Sequence, residues 1–244
     1  MEISEVGNAL IVGGILIIFY WCYRSGLKFY ILQIFYAWMI KKYEQLHLKA
    51  FAKEKDYFSQ ILESHKKKMN KDLTILDVGS GPAVNVDCLP RLSKLVCLDP
   101  NPFFEEHVKN KINSHTSLAE IHFVRGYAEN VPFENETFDA VICTLIMCVV
   151  SDLGKSLDEI MRVLKPGGKL IFLEHDVSEN DMWFSKVIRI MLVPFLWLLY
   201  SCHYNRKIDK HIQGAGFSDV DIQYVFVKSA PFTLRKCIVG EATK

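Results

Sequence analysis

Two acids and a pair of glycines carry the strongest chemical signal in this chain. Asp77 is followed by Val78-Gly79-Ser80-Gly81-Pro82-Ala83, and Asp99-Pro100 stands 20 residues beyond Gly79. Glycines at 79 and 81 let the backbone turn sharply and approach a ligand with no Cβ in between. A phosphate cradle is excluded: no Gly-Lys-Ser/Thr follows, and the third position of the dinucleotide pattern is Val84. An acid before the turn would also repel a pyrophosphate, whereas a ligand with ammonium and sulfonium groups would be drawn to it. An acid about 20 residues past the glycines, at the end of a second strand, is placed to bond ribose hydroxyls.

Three further residue sets could act on a second substrate. Thr144 closes the apolar run from Phe138 and lies in the vicinity of the first ligand. His175 ends another run and has the side-chain class of a general base near neutral pH. His203 is a second histidine candidate for the same work, and Glu174 and Asp176 are weaker bases. Cys143 and Cys148 read as small buried hydrophobes instead of nucleophiles. The seven cysteines show no Cys-x-x-Cys pair and are odd in number, which argues against a zinc ribbon and a disulfide framework. Reduced thiols and no metal site are expected.

The elements that must hold these residues follow from the pattern. Leu73 to Leu76 has the length and content of a buried strand, and Lys94 to Leu98, Ile121 to Gly126, Phe138 to Cys143 and Lys169 to Leu173 repeat it. Helices are expected at 84–91, 103–113 and 152–164, the last stopped by Lys165-Pro166-Gly167-Gly168. Strand and helix in alternation give an α/β fold with a parallel sheet and helices on both faces. A helix at 207–215 and strands at 222–228 and 232–239 close it.

The amino-terminal part is of another kind. Val6 to Tyr23 is an uncharged run that reaches spanning length, preceded by Glu2 and Glu5 and followed by Arg24 and Lys28. The charge order leaves the amino terminus outside and the body of the chain in the cytosol. From Arg24 to Lys71 there are 11 Lys/Arg against 4 Asp/Glu, in a chain whose net charge is only +1. This basic stretch adjoins the apolar run and contains Tyr30, Tyr36 and Trp38, so membrane lipid is the expected partner and nucleic acid is not. The organisation expected is a transmembrane or membrane-anchor helix over 1–25, which spans the bilayer or only inserts into it, an aromatic and basic juxtamembrane region over 26–71, and a catalytic domain over 72–244. A hydrophobic insert at 180–205, rich in Trp and Phe, is expected to cover the substrate pocket.

The pattern at Asp77 to Ala83 resembles motif I of the class I S-adenosylmethionine-dependent methyltransferases, whose fold is a Rossmann-like sheet, so the catalytic domain over 72–244 is expected to be of methyltransferase type. Cys97-Leu98-Asp99-Pro100-Asn101-Pro102, Val141 to Leu145, Glu159 to Gly168 and Phe172-Leu173-Glu174-His175 narrow the resemblance to the membrane-anchored methyltransferase-like 7 family, the thiol S-methyltransferases. The resemblance implies S-adenosylmethionine as cofactor, held by Asp77, Gly79, Ser80, Gly81, Asp99, Pro100, Ala128, Glu129 and Thr144. Tyr127 stands where that family's related segment carries an adenine-binding aspartate, which leaves the backbone of Ala128 and Glu129 for the base. It further implies methylation of small hydrophobic alkyl thiols at the cytosolic face of the endoplasmic reticulum, with some members on lipid droplets. Ser201-Cys202-His203-Tyr204-Asn205 departs from the family pattern in the region that selects substrate. A quinone or lipid acceptor, and a non-catalytic membrane protein that keeps the fold, are the alternatives.

Overall fold

The computed structural model describes residues 27–114, 117–175, 203, 206–228 and 235–244. The expected anchor at 1–25 and nearly all of the insert at 180–205 lie outside the described residues. Among the described residues no helix is long and apolar enough to cross a membrane.

The domain is built on seven strands: β1 (Thr74–Val78), β2 (Lys94–Asp99), β3 (Glu120–Arg125), β4 (Phe138–Thr144), β5 (Leu164–His175), β6 (Asp219–Phe226) and β7 (Lys236–Thr243). Their order is β3-β2-β1-β4-β5-β7-β6. The first five run parallel, and β7 pairs antiparallel with both β5 and β6. β1 sits between β2 and β4, where the winding reverses. A crevice opens at the carboxyl ends of strands at such a point.

Side chains alternate across a strand, and this alternation sorts the candidate residues. Ile75, Leu95, Cys97, Ala140, Ile142, Ile171 and Leu173 fill the core on one face. Leu76, Val78, Leu98, Val141, Cys143, Leu170 and Phe172 fill the other. By that parity Asp77, Asp99, Thr144 and His175 all belong to the first face, and Glu174 to the second.

Two helices precede the sheet: α1 (Leu27–Ala50) and α2 (Ala52–Met69). Phe58, Ile61 and Leu62 of α2 are buried in the first-face core, so this basic segment forms a layer on the sheet. α3 (Glu105–Ser114) adds Val108 to the same core. On the second face lie α4 (Leu153–Val163) and α5 (Ile208–Gly214), which bury Leu157, Ile160, Ile208 and Ile212. The Asp152 carboxylate caps α4 by accepting a bond from Lys155 N at 3.1 Å.

Two local expectations are corrected. No α-helix forms at 84–91; the segment makes only a 3-10 turn at Val86–Cys88. Ala83 has a left-handed φ of 56°, Asn85 turns its side chain inward to Asp77, and Pro90 cannot continue a helix. Nor does Lys165-Pro166-Gly167-Gly168 separate α4 from its strand. β5 begins at Leu164, opposite Phe138, and the four residues bulge before pairing resumes at Ala140 and Lys169. Gly167, with φ 75°, donates its N–H to Lys244 O at 3.0 Å, and Lys244 N returns a bond to Gly168 O.

Candidate active site

The glycine turn is held from three sides. Gly79 N and Ser80 N both donate to Leu98 O, at 2.8 and 3.2 Å, tying the turn to β2. Gly79 has φ +66°, and a Cβ there would lie 2.4 Å from the Ile146 side chain. Its small size therefore admits the loop after β4. Gly81 differs: at φ +51°, the position of its missing Cβ meets only Phe104 Cζ at 3.9 Å. Backbone at Gly81 is thus left open to a ligand. Ser80 is buried with its hydroxyl beside the Cys97 thiol.

Each acid is fixed by its neighbours. Asp99 Oδ2 accepts from Gly81 N at 2.9 Å and Oδ1 from Asn101 N at 2.8 Å. A carboxylate has about four acceptor sites, so capacity remains for two hydroxyls. Both oxygens of the fully buried Asp77 face Asn85 Nδ2, at 3.0 and 3.1 Å, and Thr144 Oγ1 lies 3.1 Å from the same nitrogen. Asn85 thereby joins the end of β1 to the end of β4. Burial pushes Asp77 up to about 7, against the opposing pull of Asn85 and of Lys55. Asp99 is pushed up to about 6 by burial, with the Asn101 and Gly81 N–H bonds opposing.

These two buried carboxylates, at adjacent strand ends, fit a cofactor that brings positive charge and a ribose. Asp99 would hold the ribose, and Asp77 would face the cationic end. Pro100 starts the turn that presents Asn101 N to Asp99. Ala128 is buried after β3, and the Glu129 carboxylate accepts from Ser151 N and Asp152 N, at 2.6 and 3.3 Å. The Glu129 side chain is thus committed to the approach to α4, which leaves its backbone for a ligand. Tyr127 is exposed beside it.

Sequence reasoning missed two cations that complete the turn. In an α-helix the Ala83 and Val84 carbonyls would accept from N–H groups one turn on. Here Lys111 Nζ from α3 donates to Ala83 O at 3.0 Å, and Lys55 Nζ from α2 donates to Val84 O. Lys55 is buried, and its pKa is lowered by that burial while Cys88 and Asp77 oppose the shift. Glu44 of α1 pairs with Lys111 and, at 3.2 Å, with His107 Nε2. No local pattern announces these contacts, since the partners are separated by 28 residues or more.

At the acceptor end, Glu174 is fully buried on the second face and accepts from Ile146 N and Met147 N, each at 2.9 Å. It fixes the loop that follows β4. His175 is buried opposite Cys237 of β7, on the face shared with Asp77 and Thr144. His203 N donates to Cys148 O at 2.7 Å, which seats this residue over the same loop. The Arg206 guanidinium donates to the Met147, Val150 and Ser151 carbonyls. Cys143 and Cys148 are buried thiols, and burial holds Cys143 well above the usual thiol range. Among the described residues no cluster of His, Cys, Asp and Glu could hold a metal ion.

Residues 76–172 match the model of a family described as a methyltransferase domain. The chain is 32% identical over 206 residues to thiol S-methyltransferase TMT1B of Rattus norvegicus, covering 83% of this chain and 81% of that protein. It is 36% identical over 112 residues to the ubiquinone/menaquinone biosynthesis C-methyltransferase UbiE of Wigglesworthia glossinidia brevipalpis, covering 43% of this chain and 44% of that one. Among solved structures, a SAM-dependent methyltransferase from Thermotoga maritima superposes with TM-score 0.55 at 17% identity, covering 87% of this chain and 99% of that one. That likeness concerns the fold.

Proposed function

We propose, for a chain that belongs to the thiol S-methyltransferase family of S-adenosylmethionine-dependent methyltransferases, that it transfers methyl to the sulfur of small hydrophobic thiols at a membrane surface. The observation that carries the reading is the pair of buried acids, Asp77 and Asp99, at adjacent strand ends of a matched methyltransferase domain. The similarity to a thiol enzyme over 83% of this chain supports the acceptor.

When bound, the cofactor supplies a methyl group activated by a positively charged sulfur. The chain's own residues do the rest. Asp99 would hold the nucleoside end, and Asp77, oriented by Asn85, would face the positive end. Thr144 and His175 end β4 and β5, on the face shared with the two acids. The His175 imidazole takes the proton of the acceptor thiol. His175 would thereby present the acceptor as its thiolate, the form that would receive the cofactor's methyl group. A free thiol has pKa about 8.5, so removing its proton raises the reactive fraction at neutral pH. Positioning the two reactants contributes most of the rate, roughly 7–11 kcal/mol in well-oriented systems. The 180–205 insert would cover the acceptor and exclude water.

The membrane placement rests on the sequence. The uncharged run at 6–23 and the basic stretch after it argue for a catalytic body on the cytosolic side of a membrane; the endoplasmic reticulum, with lipid droplets, is what the family resemblance implies. Carbonate-washed membranes test this: the full chain stays in the pellet, and its release to the supernatant would contradict the reading. A quinone acceptor is the second reading, favoured by the similarity to the quinone C-methyltransferase. Parallel assays with an alkyl thiol and a quinol separate the two, because methylated quinol with no methylated thiol would reverse their order.

A further inference from the structure

We propose that the exposed apolar face of α1 lies in the surface of an anionic lipid bilayer, and that this contact tightens cofactor binding through the opposite face of the same helix. The inference rests on the membrane reading above and adds to it a regulation of the cofactor site.

The two faces of α1 are distinct at helical spacing. Ile34, Phe35 and Trp38 are 42%, 47% and 55% exposed, an unusual cost for large apolar side chains in contact with water. Lys42 extends the same face, with Nζ 5.0 Å from the centre of the Trp38 ring. Roughly opposite lie Gln33, the buried Ala37 and the buried Glu44. Gln33 O accepts from Asn101 Nδ2 at 3.0 Å, and Asn101 in turn fixes Asp99. Glu44 holds Lys111, which caps the Ala83 carbonyl of the glycine turn. Tyr30, at the boundary, packs edge-on against Phe103 with ring centres 5.2 Å apart.

Lipid is the occupant that suits the exposed face. α1 begins at Leu27, four residues after the uncharged run 6–23 ends, so the chain delivers the helix to the plane of any bilayer that run enters. Aromatic rings beside lysine are the composition of the headgroup layer, where rings sit half wet and ammonium groups meet anionic lipid. A helix held by lipid on one side loses freedom on the other. The turn carrying Asp99 and the turn at Gly81 are both tied to that side. Binding the cofactor then costs less ordering, which is positive coupling between lipid and cofactor.

The test uses the full chain, purified in a nonionic detergent or reconstituted into phosphatidylcholine vesicles containing a minority of phosphatidylserine. Brominated lipid should quench a fluorescence component present in wild type and missing in Trp38→Phe. Equilibrium binding of radiolabelled S-adenosylmethionine should be about fivefold or more tighter on vesicles than in detergent, the lower range of ordinary allosteric coupling. The double variant Phe35→Glu/Trp38→Glu, altered only on the exposed face, should keep the detergent affinity and lose the gain. Glu44→Ala should keep the Trp38 quenching and lose the gain. Unquenched Trp38 in a protein that is dimeric in detergent would overturn the proposal in favour of a second copy on this face. Unquenched Trp38 in a monomer would overturn the lipid contact itself. Quenching with equal affinities would overturn the coupling and leave the membrane reading intact.

Discussion

Asp99 and Asp77 are the acids proposed to share the recognition of the cofactor, and their surroundings make separate predictions. Asp99→Ala removes a carboxylate whose orientation is set by Gly81 N and Asn101 N. Losing charged hydrogen bonds to ribose should weaken S-adenosylmethionine binding roughly 10- to 100-fold, measured by equilibrium binding on protein shown to remain folded by a cooperative melt. Both acids are pushed up by burial, and Asp77, the higher of the two, carries the pH dependence nearest neutrality. Burial raises its pKa to about 7, so without ligand it holds a proton that an unfolded chain would release near the usual carboxylate range. The stability contributed by that bound proton is fully present below the unfolded pKa and is lost as pH rises toward 7. A cationic ligand favours the ionised form. Cofactor affinity should therefore rise with pH up to about 7, and binding below that should release a proton. Calorimetry in buffers of different ionisation heat measures it; zero proton release at pH 6 would contradict the assignment.

Elements were legible in the sequence where a single pattern decided them, and illegible where a distant partner did. The five parallel strands follow from their apolar runs, and Asp77 and Asp99 from their places at strand ends. The segment after the glycines reads as a helix by its composition, yet Asn85 spends its amide on Asp77 and Thr144, and Lys55 and Lys111 take the carbonyls. Nothing local marks a lysine on α2 as the partner of Val84. The Pro-Gly-Gly stop after α4 reads as an end but is a bulge, because Lys244 at the far terminus pairs with it. Two predictions belong here. Lys55→Met keeps the buried stem and removes the donor to Val84 O. It should cost about 1–3 kcal/mol in denaturant unfolding and weaken cofactor binding beyond that loss of folded protein. Gly79→Ala combines a left-handed φ with a contact of 2.4 Å to Ile146. The conformation alone costs about 1–2 kcal/mol, so a lowered unfolding midpoint together with lost binding is expected.

At the scale of the molecule, a methyltransferase sheet has been joined to an amino-terminal pair of helices that reach back to the cofactor site. α2 fills the core on the face that holds Asp77, Asp99, Thr144 and His175, and α1 grips the turns that present the acids. The segment that sequence alone reads as a basic connection to a membrane thus also packs on the sheet and touches the turns beside the two acids. The most direct measurement uses membranes carrying the full-length protein, radiolabelled S-adenosylmethionine and a simple alkyl thiol. Methylated thiol should form with wild type and disappear with Asp99→Ala. No thiol methylation by wild type, with cofactor binding intact, would contradict the thiol acceptor, and loss of cofactor binding as well would contradict the site built on Asp77 and Asp99.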